Sequence, residues 1–251
     1  MEKKSVEKSH EITRLKHLGN GKETIMMHGQ LSFKARDLSL DRIRGLFAHS
    51  GDLIEFEDMA YLFATGKSEL EIRNALALYL HRELEPSQHA LREWKRHDLA
   101  VLDASGQPML LIEGKVWSHT DVLSPKKLLV GEKSIKTALE NDIQKLANSK
   151  KKYPNVRCFI TIILFSIDVT GSAAEVKPRE IVKYEPLHRR GMKKYKSINK
   201  LQDEGRAALR NFVDDYGQTM FLPMWSGVYQ GMEVSSEVLI LEPDFGKQSH
   251  G

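Results

Sequence analysis

Residues 96 to 117 constrain this chain more than any other stretch. Two apolar runs, Leu99-Ala100-Val101-Leu102 and Pro108-Met109-Leu110-Leu111-Ile112, flank Asp103-Ala104-Ser105-Gly106-Gln107. Apolar runs of this length around a Ser-Gly turn predict a β-hairpin. A turn centred on Ser105-Gly106 sets Leu99 opposite Ile112 and Asp98 opposite Glu113. Directly opposed side chains in an antiparallel pair lie roughly 4.5–5.5 Å apart at Cβ, close enough for two carboxylates to share a cation. Alternation along a strand puts Glu113 and Lys115 on one face and Gly114 on the other. The expectation is two acids and one ammonium on a shared face of strands that are otherwise apolar. Carboxylates in that setting are costly unless compensated, and a hard metal ion with oxygen ligands is a natural compensation.

Asp98 followed by Glu113-Gly114-Lys115 resembles the catalytic motif of the PD-(D/E)xK nuclease superfamily. His97 stands where that motif often carries proline. The resemblance spans about residues 69 to 168. It implies an α/β fold with a restriction-endonuclease-like core, a mixed central β-sheet flanked by helices. It also implies that Asp98 and Glu113 bind Mg²⁺, with Mn²⁺ a substitute, and that Lys115 positions or activates the attacking water. In the family a further acid often joins from the helix before the hairpin or from a neighbouring strand. Glu71 and Glu83 are the candidates, and Glu83 is preferred because it precedes the hairpin closely. A helix after the hairpin often supplies a glutamine or lysine, and Gln144 is the residue carried over. For each of these three the alternative is an ordinary solvated helix side chain.

The rest of the chain reads around this hairpin. Residues 1–68 are expected to form an N-terminal arm and short helices, and residues 69–251 the nuclease-like domain. Thr65-Gly66-Lys67-Ser68 resembles the end of a phosphate-binding loop, but Tyr61 occupies the position that needs glycine, so that reading is rejected. Ser68 with Glu71 instead predicts a capped helix running to about Leu80. The segment around His81–Glu85 either continues it or begins a strand. Glu132 to about Lys150 predicts an amphipathic helix, apolar at Ile135, Leu139, Ile143 and Leu146. Val156 to Ile167 is nearly continuously apolar and predicts a central strand covered on both faces. Leu201 to Tyr216 predicts a helix, with strands at Met220–Trp225 and Val238–Leu241. Pro223 would sit best on a sheet edge.

Charge is uneven. Residues 170–200 hold nine basic against three acidic residues, a surplus of six that exceeds the net charge of +4 for all 251 residues. Arg189, Arg190, Lys193, Lys194 and Lys196 lie in this basic insertion, interleaved with Tyr184 and Tyr195. With Lys126 and Lys127 in the loop after the hairpin, they are the candidates for nucleic-acid phosphate binding. A solvated basic loop is the alternative, and its length allows disorder without nucleic acid.

The single cysteine, Cys158, rules out an internal disulfide and any multi-cysteine metal site, and a reducing cytoplasm is the simplest location. The start, Met1 to Val6, lacks the apolar run of a signal peptide, and no apolar run is long enough to span a membrane. No His-Glu-x-x-His, Gly-x-Ser-x-Gly or Gly-x-Gly-x-x-Gly pattern occurs. The expected function is therefore a metal-dependent DNA endonuclease, in the manner of a restriction or defence enzyme. The alternative is a nucleic-acid-binding protein that keeps the fold without catalysis. DNA is the expected partner and a second copy of the chain a further candidate.

Overall fold

A computed structural model describes residues 43–45, 47 and 56–246, apart from 67, 174 and 176. Six strands form one mixed sheet in the order β1-β2-β3-β4-β6-β5. They are β1 (His89–Trp94), β2 (His97–Leu102), β3 (Pro108–Ser118), β4 (Arg157–Asp168), β5 (Gly217–Tyr229) and β6 (Met232–Pro243). Only β3 and β4 run parallel; the other pairs are antiparallel. The five longer helices are α1 (Phe56–Thr65), α2 (Ser68–Glu83), α3 (Ile135–Lys152), α4 (Glu185–Tyr195) and α5 (Ile198–Val213).

The apolar pattern dictates three layers. Along β4, Cys158, Ile160, Ile162 and Leu164 face one side, while Phe159, Ile163 and Ile167 face the other. Helices α1 and α2 cover the second side through Met59, Phe63, Ile72, Leu76 and Leu80. Helices α3 and α5 cover the first through Leu139, Ile143, Leu146, Leu209 and Val213. Each face carries the continuous apolar surface that a strand buried on both sides requires. Burial pushes the Cys158 thiol up to about 12, so this cysteine is packing rather than nucleophile. Helix α1 shares its core with the sheet, and the Phe63 ring stacks on Phe165 at 5.2 Å, so the expected division at residue 68 marks no break in packing.

The hairpin takes the register that its turn predicts: Leu99 faces Ile112, Ala100 faces Leu111 and Val101 faces Leu110. Asp103 makes the turn. Its Oδ1 accepts from the Ser105 and Gln107 amides, both at 2.9 Å, and Gly106 supplies a left-handed φ of 75°. Pro223 lies on β5, an edge strand, beside a break in register. Two expectations shift. Helix α2 continues to Glu83, so residues 81–85 do not begin a strand, and the first strand is β1, which the sequence reading left out. Its pattern is almost wholly exposed, so no hydrophobic period announces it. The described residues of the basic insertion include the turn Pro178–Ile181, helix α4 and the start of α5. Among the described residues no helix is long and apolar enough to cross a membrane.

A buried ionic knot ties the end of β3 to β6 and α5. His119, with no exposed surface, meets Ser166 Oγ through Nδ1 and Glu237 Oε1 through Nε2, each at 2.9 Å. Arg206 Nε donates to Glu237 Oε2 at 2.8 Å. Burial favours the neutral acid, but His119 and Arg206 outweigh it and hold the Glu237 carboxyl below its usual value of 4.5. Stability from this group is complete above pH 4.5 and is lost as pH falls through the depressed folded value. Glu237→Gln should lower stability at pH 7 by on the order of 3 kcal/mol. Urea melts at pH 7 and at pH 3.5 check this: the gap between wild type and variant should narrow at the lower pH.

Candidate active site

The candidate site forms where β2 leaves β3. Their regular pairing stops at Leu99 and Ile112, while β3 continues beside β4 as far as Ser118. The β1–β2 connection explains the departure. Glu93 has a left-handed φ of 54° and leaves a gap between the pairs Arg92–Leu99 and Trp94–His97. Lys95 and Arg96 follow with φ of 47° and 75°, the two positive angles of a type I′ hairpin turn. Beyond Leu99 a side chain replaces main-chain pairing: Asp98 Oδ2 accepts from the Gly114 amide at 2.8 Å. Freed of β2, one edge of β3 opens between α2 and α3.

Side chains from both helices reach this opening. Arg73 of α2 donates to Asp98 Oδ1 at 2.9 Å and to Glu93 Oε1 at 3.0 Å. Lys115 Nζ lies 2.7 Å from Asp142 Oδ2 of α3. Glu69, in the first turn of α2, lines the same small cavity as Arg73, Asp98, Gly114, Lys115 and Thr161. That cavity holds about 30 Å³, room for a water or a bare cation. Burial raises the Glu69 pKa above 4.5, and Asp98 and Asp142 add to the rise, against Lys115 and Arg73. For Lys115, burial acts downward, but the Asp142 hydrogen bond, with Asp98 and Glu69 behind it, leaves the pKa above 10.5. In this arrangement the neighbouring acids favour the ammonium form of Lys115.

The expected pairing of Asp98 with Glu113 across a shared face is corrected by these contacts. Asp98 turns to α2, whereas Glu113 turns to α3 and has no exposed surface. Glu113 Oε1 lies 2.5 Å from His97 Nδ1, and Oε2 lies 2.5 Å from Lys145 Nζ. His97 Nε2 in turn meets Ser149 Oγ at 2.8 Å. Both Glu113 oxygens are thus committed to neighbouring groups. The β2–β3 pairing that would align the acids ends at Leu99 and Ile112, one residue short of them.

Two further candidates fall away from the opening. Glu83 ends α2, fourteen residues along the helix from Glu69 and so roughly 21 Å distant. Glu69 and Glu71 are both exposed on this helix, and the acid that meets Lys115 from α2 is Glu69. Gln144 is exposed and donates to Asn148 at 3.2 Å, while α3 turns Asp142, Lys145 and Ser149 to the site. Asp142, Lys145, Glu69, Arg73 and His97 escaped sequence reasoning. Helical phase was a usable signal for two of them, since Asp142 and Lys145 flank the apolar stripe Leu139, Ile143 and Leu146.

The basic candidates surround the C-terminal end of β3. The turn His119–Val122 touches both the turn Pro125–Leu129, which carries exposed Lys126 and Lys127, and helix α4. On α4, Arg190, Lys193 and Lys194 are exposed, as is Lys196 just after it; Arg189 pairs with Glu185. Lys183 approaches the start of α2, donating its amide to the Ala64 carbonyl at 2.8 Å.

A hard divalent cation fits part of this donor set. Asp98 and Glu69 border a small cavity whose walls are otherwise mostly apolar, and Mg²⁺ ordinarily takes one or two protein carboxylates with water and phosphate oxygens. Glu113 is not a donor in this arrangement. Among the described residues no three acid, histidine or cysteine side chains converge to hold a metal ion. Removing the Lys145 ammonium strands a buried carboxylate. Lys145→Met should cost about 3–5 kcal/mol in guanidinium unfolding, and adding Glu113→Gln should restore most of it, because no unpaired charge remains. No family model matches the chain, and neither does any curated protein or any solved structure.

Proposed function

We propose that the chain is a metal-dependent phosphodiesterase acting on DNA, an endonuclease of the PD-(D/E)xK type. The observation that carries this reading is the meeting of Asp98, Lys115 and Glu69 at the edge of β3 that β2 vacates. The basic flank formed by Lys126, Lys127, Lys183 and α4 supports an anionic polymer as substrate, because it adjoins the C-terminal end of the same strand.

In this reading Asp98 and Glu69 hold Mg²⁺, or Mn²⁺ in its place. The bound ion supplies Lewis acidity, lowering the pKa of water and neutralising charge on the phosphate. The chain's own groups do the rest. Arg73 fixes the Asp98 carboxylate from one side and the Gly114 amide fixes it from the other. Lys115, held in place by Asp142, donates to the attacking water or a phosphate oxygen. The proton that the attacking water loses passes to bulk solvent. Water attacks phosphorus, the bond to the 3′ oxygen breaks, and that oxygen takes up a proton. The products are a 5′-phosphate and a 3′-hydroxyl.

One observation favours a second reading, a nucleic-acid-binding protein without catalysis. Asp98, Glu113 and Lys115 all have protein partners, as a site retired from chemistry would. Plasmid cleavage separates the two. With 5 mM Mg²⁺ or Mn²⁺, wild type should nick or linearise supercoiled plasmid, while Lys115→Ala and Asp98→Asn should lose at least about a hundredfold in rate. Intact plasmid with wild type, beside salt-dependent DNA binding, would favour the second reading.

A further inference from the structure

The β1–β2 turn sets long side chains at left-handed positions that glycine or asparagine would ordinarily fill. Among the described residues six non-glycine positions have positive φ, and Glu93, Lys95 and Arg96 are three of them. Type I′ turns favour Asn-Gly, and here two long cationic side chains stand in their place. Strain of this kind persists where surrounding structure over-determines it, and it gathers at ligand-contacting sites. The turn is held from both sides of the sheet. Arg73 grips Glu93, and Lys145 Nζ donates to the Arg96 carbonyl at 2.9 Å.

What the turn presents is two aromatic rings interleaved with cations. Lys95 Nζ lies 4.5 Å above the Trp94 ring and 3.1 Å from the Tyr153 hydroxyl. The Trp94 and Tyr153 rings are 6.1 Å apart, and Lys152 Nζ sits 5.4 Å from the Tyr153 ring. Lys95, Arg96 and Lys152 are exposed, and both rings are partly so. The Lys95 hydrogen bond holds the Tyr153 hydroxyl below its usual pKa. Beyond Tyr153 opens a cleft of about 540 Å³, lined by Asp103, Gln107, Met109, Asn155 and Arg157, a volume typical of small-molecule sites. Lys145, at the candidate active site, precedes Tyr153 by eight residues near the end of one helix. That is roughly 12 Å, or about three nucleotides at 3.4 Å per step.

We infer that Trp94, Lys95, Tyr153 and Lys152 form a binding platform for an unpaired nucleic-acid strand, with a base stacked on Tyr153, its phosphates on Lys95 and Lys152, and the next nucleotide in the adjoining cleft. Stacked aromatic rings flanked by ammonium groups bind single strands because every base offers a face and every nucleotide a charge. A duplex cannot use the rings, since its bases are already stacked on each other. The inference rests on the phosphodiesterase reading, and it names the substrate form: a strand that is single near the cut, as in a flap, gap or frayed end.

The test is fluorescence anisotropy with a labelled twelve-residue oligothymidylate and a blunt twelve-pair duplex, in EDTA, using the full chain. Tyr153→Ala should weaken oligothymidylate binding about tenfold, Tyr153→Phe less than twofold, and Lys95→Glu about tenfold. Duplex binding should change less than threefold with either tyrosine variant. Thermal melts establish that each variant is folded, and Tyr153→Leu, which removes the ring but keeps its bulk and carries the same expectation, takes the place of Tyr153→Ala if that variant is not. Equal affinity of wild type and Tyr153→Ala for oligothymidylate would overturn the platform, as would equal losses on both ligands. Plasmid cleavage is read separately. Metal-dependent cutting without a Tyr153 effect would sink the platform and leave the nuclease standing. A Tyr153-dependent oligothymidylate complex with no cutting would do the reverse.

Discussion

The parting of β2 from β3 at Leu99 is the constraint on which the candidate site depends. A strand that stayed paired through Asp98 would close the edge of β3 and shut out Lys115, Asp142 and Glu69. The Asp98 carboxylate takes the place of the missing main-chain acceptor at the Gly114 amide. A charged acceptor makes a stronger hydrogen bond than the carbonyl it replaces, so the gap is held open rather than left frayed. The same residue then offers its other oxygen to Arg73. One side chain thus ends the ladder, satisfies the freed amide and faces the cavity.

Two cations fasten this opening from opposite helices. Arg73 of α2 spans Glu93 and Asp98, and Lys145 of α3 spans Glu113 and the Arg96 carbonyl. Each therefore joins the left-handed turn to the hairpin core. Ion pairs contribute little to net stability once desolvation is counted, though breaking a buried one is costly. Their effect is geometric. They keep a strained turn of non-glycine residues in one conformation, which a bare two-residue hairpin would not do.

The sequence was most informative where burial writes a period. The hairpin register, the doubly covered β4, the stripe of α3 and the edge position of Pro223 all follow from alternation, run length or turn chemistry. It was least informative where a side chain's partner lies far along the chain. Arg73 is 25 residues from Asp98, and Lys145 is 32 from Glu113. No local pattern links either pair. Strand β1 was missed because exposed edge strands need no apolar alternation. Gln144 and Glu83 were chosen by position along the family order, and both failed on direction. Gln144 lies two residues from Asp142, about 200° round the helix, and Glu83 lies at the wrong end of α2. Asp98 and Glu113 were misjudged for a different reason. Their pairing assumed that the ladder continues one step beyond its last bond, and that step is where the site begins.

The charges gathered at the opening do not pair off evenly. Four carboxylates, Glu69, Asp98, Glu113 and Asp142, meet three fixed cations, Arg73, Lys115 and Lys145. Glu113 pairs with Lys145, Asp142 with Lys115 and Asp98 with Arg73, which leaves Glu69 as the surplus acid. Burial is the main cause of its raised pKa, and Asp98 and Asp142 add to it. In the proposed reading a small, hard cation supplies the missing positive charge beside Asp98 and Glu69.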